Sequence, residues 1–227
     1  AGDGLSLYTR EPKLRDGQVS YDDTPRETQN DKILRPAADA FQPTGGLKQL
    51  DGNLGHGIMK ISAVAPERHV IEAPVRVFQD QDSVKEAFKA GEFTSDTIVV
   101  VRFQGPKSNG MPELHGLTPT LAVLQDRGLK MALVTDGRMS GASGKVPAAI
   151  HISPEAANGG PIAKLRDGDL VRVDAVAGTI TCLAEGFDAR TPVTADLSGN
   201  GHGVGRELFE AFRQNVGLAS NGAAVVV

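Results

Sequence analysis

Two short stretches of this 227-residue chain hold the side chains best suited to chemistry. VTDGRMSGASGKVPAAIHISPEA (Val134–Ala156) contains Arg138, Ser140 and Lys145, with the serine set among glycines. QGPKSNGMPELHG (Gln104–Gly116) adds Glu113. A carboxylate, two cations and a hydroxyl suit an anionic, hydroxylated substrate with a metal nearby, provided the two loops leave neighbouring strands. Ligands of α/β proteins sit outside the carboxyl ends of strands, where these loops are expected. On spacing alone, the reading of Ser140 as a turn or capping residue is favoured over a role in a site. Thr135 and Asp136 read as residues that fix the loop, because an Asp before Gly readily bonds local amides.

Other chemistries fail on spacing. A Walker loop needs a glycine at position 139 and a hydroxyl after the lysine, and the chain has Met139 and Val146 there. SGNGHGVG (Ser198–Gly205) lacks the two-residue gap of a dinucleotide fingerprint, although its amides could meet an anion. His56, His69, His115, His151 and His202 show no metal-ligand spacing. The one cysteine, Cys182, can neither form an internal disulfide nor hold a cluster alone, and reads as a small buried hydrophobe.

The elements that must position these loops follow from periodicity. TIVVVRF (Thr97–Phe103) and KMALVT (Lys130–Thr135) are continuous apolar runs, as in strands buried on both faces. TPTLAVLQDRG between them predicts a helix, with Thr118-Pro119 at its start and Gly128 past its end, so a parallel crossover is expected. HVIEAPVRVF (His69–Phe78) is strand-like, and Ser83 with Glu86 forms a capping box for a short helix. DLVRVDAVAGTITCLAE alternates as antiparallel strands. GRELFEAFRQN (Gly205–Asn215) predicts a last helix with Leu208, Phe209 and Phe212 on one face. Residues 1–45 are polar and proline-rich and read as an interdomain arm or linker, with the core beginning at 46 and running to 227. The order implies an α/β fold: a mixed β-sheet or barrel with flanking helices.

Composition narrows the class further. The chain is 40% hydrophobic, with 27 Gly, 13 Pro and no Trp, which argues against a helix bundle. A net charge of −4 with scattered basic residues gives no nucleic-acid footprint. No apolar run approaches the roughly 20 residues of a membrane span. A cytoplasmic protein is expected. The start at Ala1 reads as a processed terminus or as entry partway through a larger protein.

VVVRFQGPKSNGMPELHGLTPTL and ALVTDGRMSGASGKVPAAIHISPEA, with GGLKQLDGNLGHGIMKISAV (Gly45–Val64), closely resemble the C-terminal domain of the dihydroxy-acid and sugar-acid dehydratases. SGASGKVPAAIHISPEA and GRELFEAF look most like the branch that acts on 6-phosphogluconate. The resemblance implies a swivelling β/β/α domain and a hydro-lyase reaction of the Entner–Doudoroff route. The C2 proton is removed and hydroxide leaves C3. It implies an iron–sulfur cluster, of the 4Fe-4S type, and in many members magnesium, with most ligands in an N-terminal cluster-binding domain. Matched residue by residue, Glu113 falls on a metal ligand and Ser140 on the proton-abstracting base. Arg138 either holds the substrate carboxylate or braces the loop. Gly141, Ser143 and Lys145 are expected phosphate contacts, on chemistry alone. The family also implies a homodimer and a small sugar-acid phosphate as substrate, and an isolated C-terminal domain should be inactive. Three readings stand: the C-terminal domain of such a dehydratase, with another member of the family as the alternative within it, a non-catalytic small subunit, or a sugar-phosphate-binding module.

Overall fold

The runs TIVVV and MALVT organise the architecture of the computed structural model, which describes residues 9–25, 27–139 and 145–225. They form β6 (Thr97–Val101) and β7 (Met131–Thr135), parallel neighbours with Thr97 opposite Met131 and Val101 opposite Thr135. All ten residues are buried, because each strand carries an apolar layer on both faces. Ile98, Val100, Ala132 and Val134 point into one core; Val99, Val101, Met131 and Leu133 point into another. The period of two in a strand produces this split.

The first core fills a closed barrel of eight strands. Its remaining members are β3 (Leu47–Gly52), β4 (Gly55–Lys60), β5 (Val70–Phe78), β8 (Ala148–Ser153), β9 (Leu170–Asp174) and β10 (Thr179–Cys182). Around the barrel the order is β10-β3-β4-β8-β7-β6-β5-β9. Strands β5 to β8 run parallel to one another, whereas β4 pairs antiparallel with β8 and β9 antiparallel with β5. The seam closes through one parallel pair, Thr179 with Asp51. There the Asn53 side chain donates to the Cys182 carbonyl at 2.9 Å and accepts from its amide at 2.8 Å.

The second core lies between the barrel and two crossover helices, α1 (Gln81–Lys89) and α3 (Leu117–Asp126). Leu117, Leu121 and Leu124 are buried at helical spacing against β6 and β7. Each such leucine contributes about 1.5–3 kcal/mol. The mixed barrel with flanking helices matches the expected class.

Several local expectations need correction. Ser83 does not cap α1; Asp80 does, accepting from the Ser83 amide at 2.8 Å, and the Ser83 hydroxyl bonds the same carboxylate. Helix α3 begins one residue before Thr118, with Gly116 at the cap. The Thr118 hydroxyl is directed to the Met139 sulfur, at 3.3 Å, instead of the helix's own amides. Gly128 does follow the helix in the left-handed conformation, at φ +97°. The last predicted helix is a 3-10 turn (Arg206–Phe209) followed by α4 (Glu210–Asn215), and Leu208, Phe209 and Phe212 stay exposed. A further short helix, α2 (Pro106–Asn109), follows β6.

Residues 1–45 form a separate unit. It contains a hairpin of β1 (Arg10–Arg15) and β2 (Gln18–Asp23), which the linker reading missed. Asp16 and Gly17 both take positive φ, as a two-residue hairpin turn requires. Leu14, Val19 and Tyr21 are exposed, so the hairpin has no core of its own.

Candidate functional site

At the carboxyl ends of β6 and β7 the chain leaves the barrel in two loops, and both are held by buried carboxylates. Asp136, fully buried, accepts from the amides of Phe103 (3.1 Å), Gln104 (2.9 Å) and Ala156 (2.9 Å). One side chain therefore joins the exits of β6, β7 and β8. Burial pushes its pKa up to about 6, and the neighbouring Glu155 adds to that rise, against the opposing pull of the three amides. Thr135 accepts from the Gly137 amide at 2.9 Å. Both residues fix the loop, as their types imply, but Asp136 does so through distant amides.

Glu155 makes the second clamp. It is 2% exposed and accepts from the Lys107 amide (2.8 Å), the Ser108 amide (3.0 Å) and the Ser108 hydroxyl (2.8 Å), at the start of α2. A Cβ on Gly105 would lie 2.4 Å from a Glu155 oxygen, so only glycine admits this approach. Asn109 donates to Gln104 at 3.0 Å and receives Arg206 at 2.6 Å, which extends the frame toward the C-terminal segment. Sequence reasoning passed over Glu155. No signal at its own position marks it, because its partners lie 47 and 48 residues earlier.

On this frame stand the exposed groups. Glu113 and Arg138 pair through a 2.8 Å ion pair, and their backbones form an isolated parallel bridge. Leu114 donates its amide to the Arg138 carbonyl at 3.1 Å. The convergence of the two loops is thus realised for Glu113 and Arg138. The guanidinium side chain is 52% exposed and the carboxylate 29%, so both reach solvent while bracing each other. The ion pair braces the loop and leaves the Arg138 side chain exposed to solvent. Ser140, Gly141 and Ser143 lie outside the described residues. The residues on either side are anchored: Met139 by Thr118, and the Lys145 carbonyl by Gln125 at 3.2 Å. The Lys145 side chain is exposed.

Phe103, Met111 and His151 are non-glycine residues with positive φ, at 62°, 53° and 57°, all at this end of the barrel. Such conformations cost energy and gather where geometry is set for function. His151 donates its amide to the Gly137 carbonyl at 2.9 Å, and burial, with the charge of Arg138, lowers its pKa.

Among the described residues no three His, Cys, Asp or Glu side chains converge. Cys182 is 3% exposed inside the barrel core, its thiol pushed up by burial, and does not fit a cluster ligand. Glu113 is one hard oxygen donor of the kind magnesium takes, with its charge already matched by Arg138. No helix of the described residues is long and apolar enough to cross a membrane.

Comparison with known proteins agrees with this layout. The family model described as dihydroxy-acid/6-phosphogluconate dehydratase C-terminal matches residues 32–223. A phosphogluconate dehydratase of Pseudomonas aeruginosa is 58% identical over 98% of this chain and 37% of its own length. That of Escherichia coli K12 is 50% identical over 100% of this chain and 38% of its own. A dihydroxy-acid dehydratase of Nitratidesulfovibrio vulgaris is 42% identical over 67% of this chain and 28% of its own. The chain thus spans little more than a third of the phosphogluconate dehydratases it matches. It belongs to the dihydroxy-acid/6-phosphogluconate dehydratase family and corresponds to that family's C-terminal domain.

Proposed function

We propose that this chain is the C-terminal part of a phosphogluconate dehydratase, a hydro-lyase that removes water from 6-phospho-D-gluconate to give 2-dehydro-3-deoxy-6-phosphogluconate. The observation that carries this reading is the similarity to phosphogluconate dehydratases, which extends over the whole chain, both site loops included.

The reaction breaks the C2–H bond, expels hydroxide from C3 and leaves an enol that becomes the ketone. Arg138 and Lys145 supply positive charge for an anionic sugar-acid phosphate, and Gly141 and Ser143 lie between them in sequence for further contacts. Ser140 is the proposed acceptor of the C2 proton. An ordinary serine hydroxyl is far too weak a base at neutral pH, so its alkoxide needs adjacent positive charge and loop amides. Arg138, two residues away, contributes such charge, and its pairing with Glu113 keeps the guanidinium at the loop. Asp136 and Glu155 hold the strand exits so that the loop's ends keep their places.

The iron–sulfur cluster expected of the family does not fit this chain, whose single thiol is sealed in the core. Its ligands belong, on this reading, to the cluster-binding region that precedes this domain in the full-length protein. Magnesium is the group this chain could help to hold, through Glu113; when bound it would supply Lewis acidity toward the substrate's oxygens. A cytoplasmic homodimer completes the proposal.

The test is turnover by the full-length protein, purified without oxygen and with its cluster intact. Formation of a 2-keto acid from 6-phosphogluconate is expected, with Ser140→Ala abolishing turnover while the circular-dichroism spectrum and Tm are retained. Turnover of a branched dihydroxy acid in place of 6-phosphogluconate would overturn the substrate assignment. Normal turnover by the serine variant would overturn its role.

A further inference from the structure

Strand β8 carries an irregularity that the framework described above does not use. Between β4 and β8, Ile58 faces Ile150 and His56 faces Ser153. Two steps along β4 therefore correspond to three along β8, and the extra residue is a β-bulge. His151 is the bulged residue with φ 57°, a conformation that costs energy for a side chain other than glycine. Bulges re-aim a side chain and are concentrated beside active sites.

The bulge sets the histidine against the site. Its amide is held by the carbonyl of Gly137, the residue before Arg138, and its ring is near enough to feel the Arg138 charge. Among the described residues the ring has no hydrogen-bond partner, although it is half-buried. With Gln49, His56 and Ser220 it lines a cavity of about 400 Å³ that Arg138 and Glu113 do not themselves line. Burial and Arg138 both favour the neutral ring, which offers one donor and one acceptor. His56, the other imidazole on this cavity, is engaged by Asp51.

We propose that His151 is a substrate-contacting residue of this site, its imidazole hydrogen-bonding a hydroxyl group of the sugar acid whose carboxylate or phosphate Arg138 attracts. The inference rests on the dehydratase reading. A neutral imidazole beside a guanidinium suits a ligand that presents a hydroxyl close to a negative charge, as every polyhydroxy acid does. The bulge places the ring without demanding a protein partner for it.

The experiment compares full-length holoenzyme with His151→Gly and His151→Asn. Both replacements accept the left-handed backbone, so the bulge is preserved while the ring is lost. The expected result is a fall of about 10- to 100-fold in kcat/KM, as for one lost hydrogen bond to a charged or polar substrate. Tm should stay near that of the parent, and added imidazole should restore part of the activity of the glycine variant. A purely structural histidine would give neither the retained Tm nor the rescue. Parental kinetics in both variants, or a loss of activity with lowered Tm and no rescue, would overturn the proposal. Parental holoenzyme that fails to turn over any sugar acid would instead count against the dehydratase reading. In that case the His151 imidazole resonances are followed by NMR during titration with 6-phosphogluconate, and unshifted resonances would overturn the contact.

Discussion

Asp136→Asn isolates the physics of the carboxylate that joins the three strand exits. In the folded chain the acid has a pKa of about 6, against about 3.9 for an unperturbed aspartate. Between those values the folded state binds more protons than the unfolded one, so stability falls as pH rises. The whole difference corresponds to about 3 kcal/mol. Going from pH 7.5 to 4.5 recovers about 2 kcal/mol of it, because at pH 4.5 the folded acid is nearly all protonated and the unfolded one mostly ionised. Asparagine has the same shape and no titration. It also turns an amide group toward one of the three backbone donors, at a pH-independent cost of about 1–3 kcal/mol. Urea unfolding of the chain and its variant at both pH values gives the test. The parent should gain about 2 kcal/mol relative to the variant on acidification. Carboxylates with lowered pKa values, such as Asp169 beside Arg190 and Asp174 beside Arg172, lose stability at lower pH in both proteins and cancel in the comparison. No relative gain, or a relative loss, would show that the three amides outweigh burial and that the argument from desolvation is wrong.

Three further outcomes follow from the same geometry. Glu113→Gln should change the stability of the chain by less than about 1 kcal/mol, since the ion pair is partly exposed, yet lower turnover of the full-length enzyme at least tenfold; equal turnover in a steady-state assay would remove Glu113 from the site. Gly105→Ala places a methyl 2.4 Å from the Glu155 carboxylate and should lower stability by about 2 kcal/mol, read as a drop in the urea midpoint. Cys182 should react with a thiol reagent only as the barrel unfolds, because it is buried and its thiolate is disfavoured; rapid labelling of the folded chain would contradict its place in the core.

The parts of this fold that sequence reveals are those where one local signal suffices. Continuous apolar runs marked β6 and β7, and a glycine past the helix marked the end of α3, so the parallel pair beneath the site was legible. Caps were less so. Asp80 and Ser83 offer similar oxygens three residues apart, and only the folded backbone selects Asp80. The hairpin at Asp16-Gly17 carried a plain turn signal that the surrounding charge and proline obscured. Glu113 and Arg138 were legible as chemical types, and their pairing needed only that two strands be neighbours. Glu155 and His151 were not legible in the same way. The value of Glu155 lies in amides 47 and 48 positions earlier, and that of His151 in a bulge relative to β4, and neither leaves a mark at its own position.

That difference reflects how such a site is built. The exits of β6 and β7 carry the partly exposed Glu113 and Arg138, so their backbone must be fixed by other groups. Hydrophobic packing alone fixes strand bodies but leaves their polar exits unsatisfied, and water would otherwise compete for those amides. Two buried carboxylates, each accepting three hydrogen bonds, meet that need at the exits of β6, β7 and β8 and at the start of α2. Burying a carboxylate is costly, and that desolvation, with a smaller contribution from Glu155, raises the pKa of Asp136. The return is a rim on which Glu113, Arg138 and His151 keep fixed positions without burying their own polar ends. Charged groups that are ready-positioned and still solvated need little reorganisation when a ligand meets them.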